Sequence, residues 1–197
     1  MKPLVILDRQ HTGKPSNPGD TGGMSASCCR EEARMVSVYL SAAEWALRAE
    51  GVDVIPMSDG SYAERHGRAR SYASRRPTSL YVAGHMNAGG GDYGAVFYDH
   101  RSTAGAAAAE FISRSLQSSC PELGGTKIIP SRTGHWTANA YYTIRGVYSG
   151  RPCGICYEPA FMDRLEHETM MTNEGLERIG CSLARGIINW ANSLGDK

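Results

Sequence analysis

The chain has 197 residues, 41% hydrophobic and 21% charged, which is the size and balance of one globular domain able to bury a core without a metal or disulfide. Lys and Arg number 21 against 20 Asp and Glu, a net charge of +1, so there is no electrostatic footprint for nucleic acid or for anionic lipid. No apolar run approaches the roughly 18 residues of a membrane span, and residues 3–7, stopped by Asp8 and Arg9, are too short for a signal-peptide core. The expectation is synthesis in the cytosol without a signal peptide.

Residues 4–7 read as a buried strand. Residues 9–30 are polar and rich in Gly and Pro, too long for a plain connection. Residues 31–50 read as a helix: Met35, Val38, Tyr39, Ala42, Ala46 and Leu47 follow helical spacing, and Gly51 is a stop. Residues 52–55 are the next strand. Ser61 and Glu64 form a capping-box pattern that opens a basic helix. Residues 79–83 are a strand, followed by Gly84, His85, Met86, Asn87 and a glycine run at 89–91. Residues 94–98 are another strand, and Ser102 caps an alanine-rich helix. Residues 127–129 are a short strand, and residues 134–142 a wet, aromatic loop. Residues 153–157 are a last strand ending at Glu158, and residues 173–194 a closing helix. The chain carries no repeat, linker or second module, so 1–197 is expected to be a single domain.

Strands alternating with helices predict an α/β fold, a mostly parallel twisted sheet with helices on both faces. In such sheets the ligand site lies beyond the carboxyl ends of the strands. The first strand runs out into Asp8 and His11, the third into His85, the last into Glu158, and the first helix opens with Glu31 and Glu32. His11, His85 and one Glu at 31 or 32 would supply the two imidazoles and one carboxylate of a catalytic zinc site with an open position for water. Bound metal lowers the pKa of that water and polarises a carbonyl. A separate carboxylate must move the water's proton to the leaving amine, and Glu158 suits that role. These parts make a site for amide hydrolysis, although the spacing matches no local motif such as HExxH.

Six cysteines occur, at 28, 29, 120, 153, 156 and 181. Cys153-Gly-Ile-Cys156 has redox spacing but lies in an apolar strand-like run, whereas a reactive pair needs a helix N-terminus to stabilise the thiolate. Most of the six read as small buried hydrophobes.

Four signatures in order resemble the zinc-dependent N-acetylmuramoyl-L-alanine amidases of the Amidase_3 type. After the first strand, where the family has Asp-Pro-Gly-His and a Gly-rich stretch, stand Asp8-Arg-Gln-His11 and then Asn17-Pro-Gly-Asp20-Thr-Gly22. The helix that follows leads to Gly51 and a strand, and the family's spacing counted back from there lands on Glu32 rather than Glu31. The family's Ser-x-His-x-Asn-Ala is Ala83-Gly-His85-Met-Asn87-Ala88 here, and its strand ending in Glu and followed by Phe is Ile155-Cys-Tyr-Glu158-Pro-Ala-Phe161. The Arg of the intervening helix has its counterpart in Arg65 or Arg68. The chain departs from the pattern at Arg9-Gln10, at Cys28-Cys29 and at Gly84, where the family commonly has an apolar or β-branched residue.

The resemblance implies one zinc ion on His11, Glu32 and His85, with Glu158 as catalytic acid/base. It implies hydrolysis of the amide between N-acetylmuramic acid and L-alanine, with peptidoglycan or a muropeptide as substrate. With no signal peptide and no wall-binding module, the expected setting is a compact phage endolysin, or a cytoplasmic recycling enzyme. Asn87, His135, Trp136 and Arg145 are candidate substrate-binding residues. Tyr141 and Tyr142 extend the same aromatic wall, since aromatic rings offer rigid amphipathic area. Three other functions compete. They are a zinc amidohydrolase of a smaller peptide or amide, a non-catalytic domain that binds wall fragments, and a redox role through Cys153 and Cys156.

Overall fold

Residues 4–7 of the first strand, β1 (Leu4–Arg9), are apolar without interruption, and all four side chains are buried. That pattern belongs to a strand covered on both faces. The computed structural model describes residues 3–12, 22–23, 31–76, 78–147 and 152–194. Most of the long polar segment, residues 13–21 and 24–30 with Cys28 and Cys29, lies outside them.

β1 belongs to a six-stranded sheet with β2 (Asp53–Met57), β3 (Ser79–Gly84), β4 (Gly94–Asp99), β5 (Thr126–Ser131) and β6 (Cys153–Glu158), in the order β2-β1-β3-β6-β4-β5. All neighbouring pairs are parallel except β6 with β4. The sheet is therefore mostly parallel, as the alternation of elements predicts, with one reversal that the alternation does not reveal. Its cause lies in residues 85–93. They contain no helix to carry the chain back across the sheet, which a parallel crossover requires, so β4 starts at the edge where β3 ends.

Helices cover both faces. α1 (Glu32–Ala49), α3 (Thr103–Ser119) and α5 (Asn173–Ser193) pack Met35, Tyr39, Ile112 and Leu183 over Val5, Leu7, Leu80 and Val82. α2 (Tyr62–Ala73) and α4 (Ala138–Ile144) pack Ala69, Ala140 and Ile144 over Leu4, Ile6, Tyr81 and Ala83. Successive strand residues thus feed opposite cores, as the twofold strand repeat requires. The expected caps form. Ser61 and Glu64 make a full capping box, Ser102 accepts from the Gly105 N–H, and Gly51 ends the α1 region with φ of 69°.

One expectation needs correction. The segment 134–142 is not loop throughout, because α4 begins at Ala138. Ala140, Tyr141 and Ile144 lie on one side of a short helix and bury against the sheet, so packing decides an element too short for periodicity to reveal.

A buried ion pair ties α2 to the end of β1. Arg65 Nη1 lies 2.6 Å from Asp8 Oδ1, and both side chains are fully buried. Asp8 also accepts from Tyr81 and Gln10. The Arg65 guanidinium donates further to the carbonyls of Gly60, Arg9, Thr12 and Ser58, so its donors are divided between the turn around His11 and the segment that leads into α2. Arg68, the alternative counterpart, pairs with exposed Asp59 on the surface. Arg65→Leu leaves Asp8 buried without its cation and is expected to cost about 3–5 kcal/mol of stability, read from urea unfolding. Arg68→Leu should cost less than about 1 kcal/mol.

Candidate active site

β1, β3 and β6 are consecutive parallel neighbours, and their last shared rung is Arg9, Gly84 and Tyr157. His85 is the residue just past β3, Glu158 is the last of β6, and His11 lies two residues past the end of β1. The carboxyl-end rule therefore applies to these three strands together. His11 has φ of 60°, a left-handed conformation uncommon for a residue with a side chain. The Arg65 contacts to Arg9 and Thr12 on either side hold it there.

Glu32 is the first residue of α1, and its carboxylate is buried and fully engaged. Oε1 accepts from the Met86 N–H at 3.0 Å and Oε2 from the Gly23 N–H at 3.0 Å. Gly22 presses so closely that a Cβ there would lie 2.4 Å from Glu32 Oε2, and its φ is 75°. Glu31, the rival position, is exposed at the helix N-cap. The structure brings Glu32, not Glu31, to the histidines.

The three donor atoms form a nearly regular triangle. His11 Nε2 lies 3.1 Å from His85 Nδ1 and 3.3 Å from Glu32 Oε1, and His85 Nδ1 lies 3.1 Å from Glu32 Oε1. A tetrahedral ion with bonds of about 2.0–2.1 Å separates its ligands by about 3.3 Å. Two imidazoles and one carboxylate at that spacing fit a zinc-type centre with a fourth position open, and His11, Glu32 and His85 are compatible with a metal site. Burial raises the Glu32 carboxyl pKa, but hydrogen bonds from His11 and His85 and their charge more than reverse this, so it falls well below the ordinary range.

Glu158 ends β6 half-buried beside this triangle. Burial pushes its carboxyl pKa up, the charge of His85 and the Cys156 thiol oppose that, and the negative charge of Glu32 adds to it. A carboxyl whose proton affinity is raised beside a metal-type donor set is suited to proton transfer.

The candidate substrate residues divide. Asn87 lies just past His85, its main chain bonds Ala160 and Met162, and its Oδ1 accepts from the Ala88 N–H at 2.8 Å. That bond ties the Asn87 side chain to the main chain of the residue that follows it. His135 and Trp136 are exposed, and Trp136 packs edge-on to Phe97 with ring centroids 6.2 Å apart. Arg145 is exposed and stacks on Tyr142 at 4.3 Å, while Tyr141 is buried and meets Arg101. These residues follow β5, which ends at Ser131 opposite Asp99. Glu158 pairs with Ala95 at the other end of β4. The aromatic segment therefore leaves the sheet at the end away from the His–Glu triangle, because β4 and β5 run opposite to β1, β3 and β6.

Cys153 and Cys156 do not form a pair. Three residues apart on a strand, they face opposite sides, one toward each core. Burial pushes the Cys153 thiol up to about 12 and the Cys156 thiol well above its ordinary value, which is the reverse of redox activation.

Sequence reasoning missed the backbone cradle of Glu32 and the hydroxyl of Tyr39, which reads as an apolar helix position. A Tyr at a fully buried helical position is the available signal, since its hydroxyl must find an acceptor.

No family model matches the sequence, and no curated protein matches it. The fold does match solved structures. Cwp6 from Clostridium difficile superposes with a TM-score of 0.76 at 20% identity, covering 96% of this chain, which spans 29% of that one. The CwlD amidase from Clostridioides difficile, solved in complex with the GerS lipoprotein, has a TM-score of 0.76 at 16% identity over 98% of this chain and 100% of that one. The N-acetylmuramoyl-L-alanine amidase AmiC2 of Nostoc punctiforme has a TM-score of 0.72 at 20% identity, over 98% of each chain. The chain is thus similar in fold to N-acetylmuramoyl-L-alanine amidases.

Two measurements test the site as drawn. Glu32→Gln should weaken zinc binding by on the order of 100-fold or more, and Glu31→Gln should leave it unchanged, by titration calorimetry. Alkylation of the native protein followed by peptide mass spectrometry should label exposed Cys181 and spare Cys153 and Cys156 until the chain is unfolded.

Proposed function

We propose that the chain is a zinc-dependent N-acetylmuramoyl-L-alanine amidase, hydrolysing the amide between N-acetylmuramic acid and L-alanine in peptidoglycan, with residues 1–197 as one catalytic domain. The observation that carries this reading is the 3.1–3.3 Å triangle of His11 Nε2, His85 Nδ1 and Glu32 Oε1 at the strand end that also bears Glu158. The fold likeness to N-acetylmuramoyl-L-alanine amidases supports the choice of bond.

His11, Glu32 and His85 would hold one zinc ion. When bound, zinc supplies a water of lowered pKa and a polarised substrate carbonyl. Glu158 accepts the water's proton on its carboxylate and delivers it to the departing alanine nitrogen. The raised proton affinity that burial gives Glu158 suits it to both halves of that transfer. The two N–H groups on the Glu32 carboxylate fix its orientation, so Oε1 is presented without rearrangement. Asn87 is the substrate-side residue nearest this centre in the chain. The register of β4 and β5 gives His135, Trp136 and Arg145 no support as part of the same subsite. The biological setting we favour is endolysin-like, with the enzyme acting on the cell wall.

Purified peptidoglycan digested with zinc-loaded protein should release stem peptides with a free N-terminal L-alanine, identified by mass spectrometry, and chelated protein should release none. Glu158→Gln should keep zinc and lose on the order of 100-fold or more in turnover. A fully active Glu158→Gln would overturn the mechanism. Zinc-bound protein that cleaves no wall preparation would overturn the substrate. Turbidity loss of whole cell walls reads out the lytic setting.

A further inference from the structure

The geometry points to Tyr39 as a positioning residue that holds His85 and Glu158 at their working separation. This inference rests on the zinc amidase reading above. Tyr39 lies seven residues after Glu32 on α1, two turns along the same face. Its hydroxyl is fully buried and faces two carbonyls. It lies 3.1 Å from the oxygen of His85, to which it donates, and 3.4 Å from that of Tyr157. His85 belongs to the donor triangle, and Tyr157 immediately precedes Glu158. The His85 N–H donates to the same Tyr157 oxygen at 3.0 Å. One rigid helix therefore meets His85 twice, with the Glu32 carboxylate beside its ring and the Tyr39 hydroxyl on its main chain, and touches the strand that carries Glu158.

Gly84 makes that grip possible. A Cβ at position 84 would lie 2.6 Å from the Tyr39 hydroxyl, 2.8 Å from Leu40 Cδ1 and 2.9 Å from Val36 Cγ1, all closer than side chains tolerate. The glycine that departs from the amidase pattern is thus the complement of the Tyr39 hydroxyl. The ring of Tyr39 also packs edge-on against Tyr157, with centroids 5.7 Å apart, so the hydroxyl is aimed by packing rather than free to turn away.

The test uses Tyr39→Phe, which keeps the ring and removes only the hydroxyl, with Gly84→Ala and the double variant. Zinc affinity is measured by chelator competition, the cobalt-substituted proteins are compared by visible absorption, and kcat and KM are taken on peptidoglycan fragments. Tyr39→Phe should weaken zinc affinity by on the order of 10-fold, shift the cobalt spectrum, and lower kcat with KM unchanged. Gly84→Ala should act in the same direction, through the Tyr39 hydroxyl and also through Leu40 and Val36, so the double variant should lose less than the two single losses combined, the Tyr39 contact being shared. Unchanged zinc affinity and cobalt spectrum in a folded Tyr39→Phe overturn the inference, even if its melting temperature falls. Should Tyr39→Phe fail to fold, Gly84→Ala carries the same test, and wild-type zinc affinity and spectrum in it overturn the inference equally. Wild-type protein that binds no zinc fails the underlying reading instead, a result read before any variant is made.

Discussion

The buried pair of Asp8 and Arg65 is the constraint on which the arrangement depends. A fully buried charge pair gives up its hydration and is retained only where its remaining donors and acceptors are used. Here they are used on the turn that carries His11, on the segment that leads into α2 and on Tyr81 of β3. Asp8 is the last inward residue before the strand opens, and Arg65 reaches from α2 to the carbonyls of Arg9 and Thr12. Those bonds hold His11 in a left-handed conformation that its side chain would otherwise avoid. The pair therefore converts a strand end into a fixed direction for one imidazole.

The second constraint is strand polarity. β1, β3 and β6 run the same way side by side, so residues that follow them in sequence emerge along one edge. His11, His85 and Glu158 come from distant parts of the chain, and strand polarity brings them to one edge. The reversal of β4 and β5 carries the following aromatic segment to the opposite end. Sequence order along the chain says nothing about this, because residues 134–142 are no further from Glu158 in number than many that do converge on it.

Close backbone approach completes the centre. Gly22 and Gly23 fold against the Glu32 carboxylate, and Gly84 lets α1 reach β3. Where a Cβ would collide at 2.4–2.6 Å, the absence of a side chain is what lets polar atoms meet. Glu32 consequently has its two oxygens committed before any ligand arrives, and the imidazoles meet a carboxylate that cannot swing.

Much of this was legible in the residues alone. The buried run at 4–7, the helical spacing from Met35 to Leu47, the capping box at Ser61 and Glu64 and the stop at Gly51 each state a local preference strong enough to survive folding. The polar residues at strand ends were legible too, because Asp8, His85 and Glu158 end apolar runs where a buried polar group needs a purpose, and His11 follows Asp8 closely. The choice between Glu31 and Glu32 could not be read from helical spacing, since adjacent residues at a helix start share the same local chemistry and differ only in the direction they face. The short helix α4 was hidden because seven residues carry too little periodicity to outweigh loop composition. The strand order, the reversal of β4, the partner of Asp8 and the acceptors of the Tyr39 hydroxyl were decided by the tertiary structure. Each depends on contacts between segments dozens of residues apart, whose pairing follows from packing and chain connectivity rather than from any local pattern.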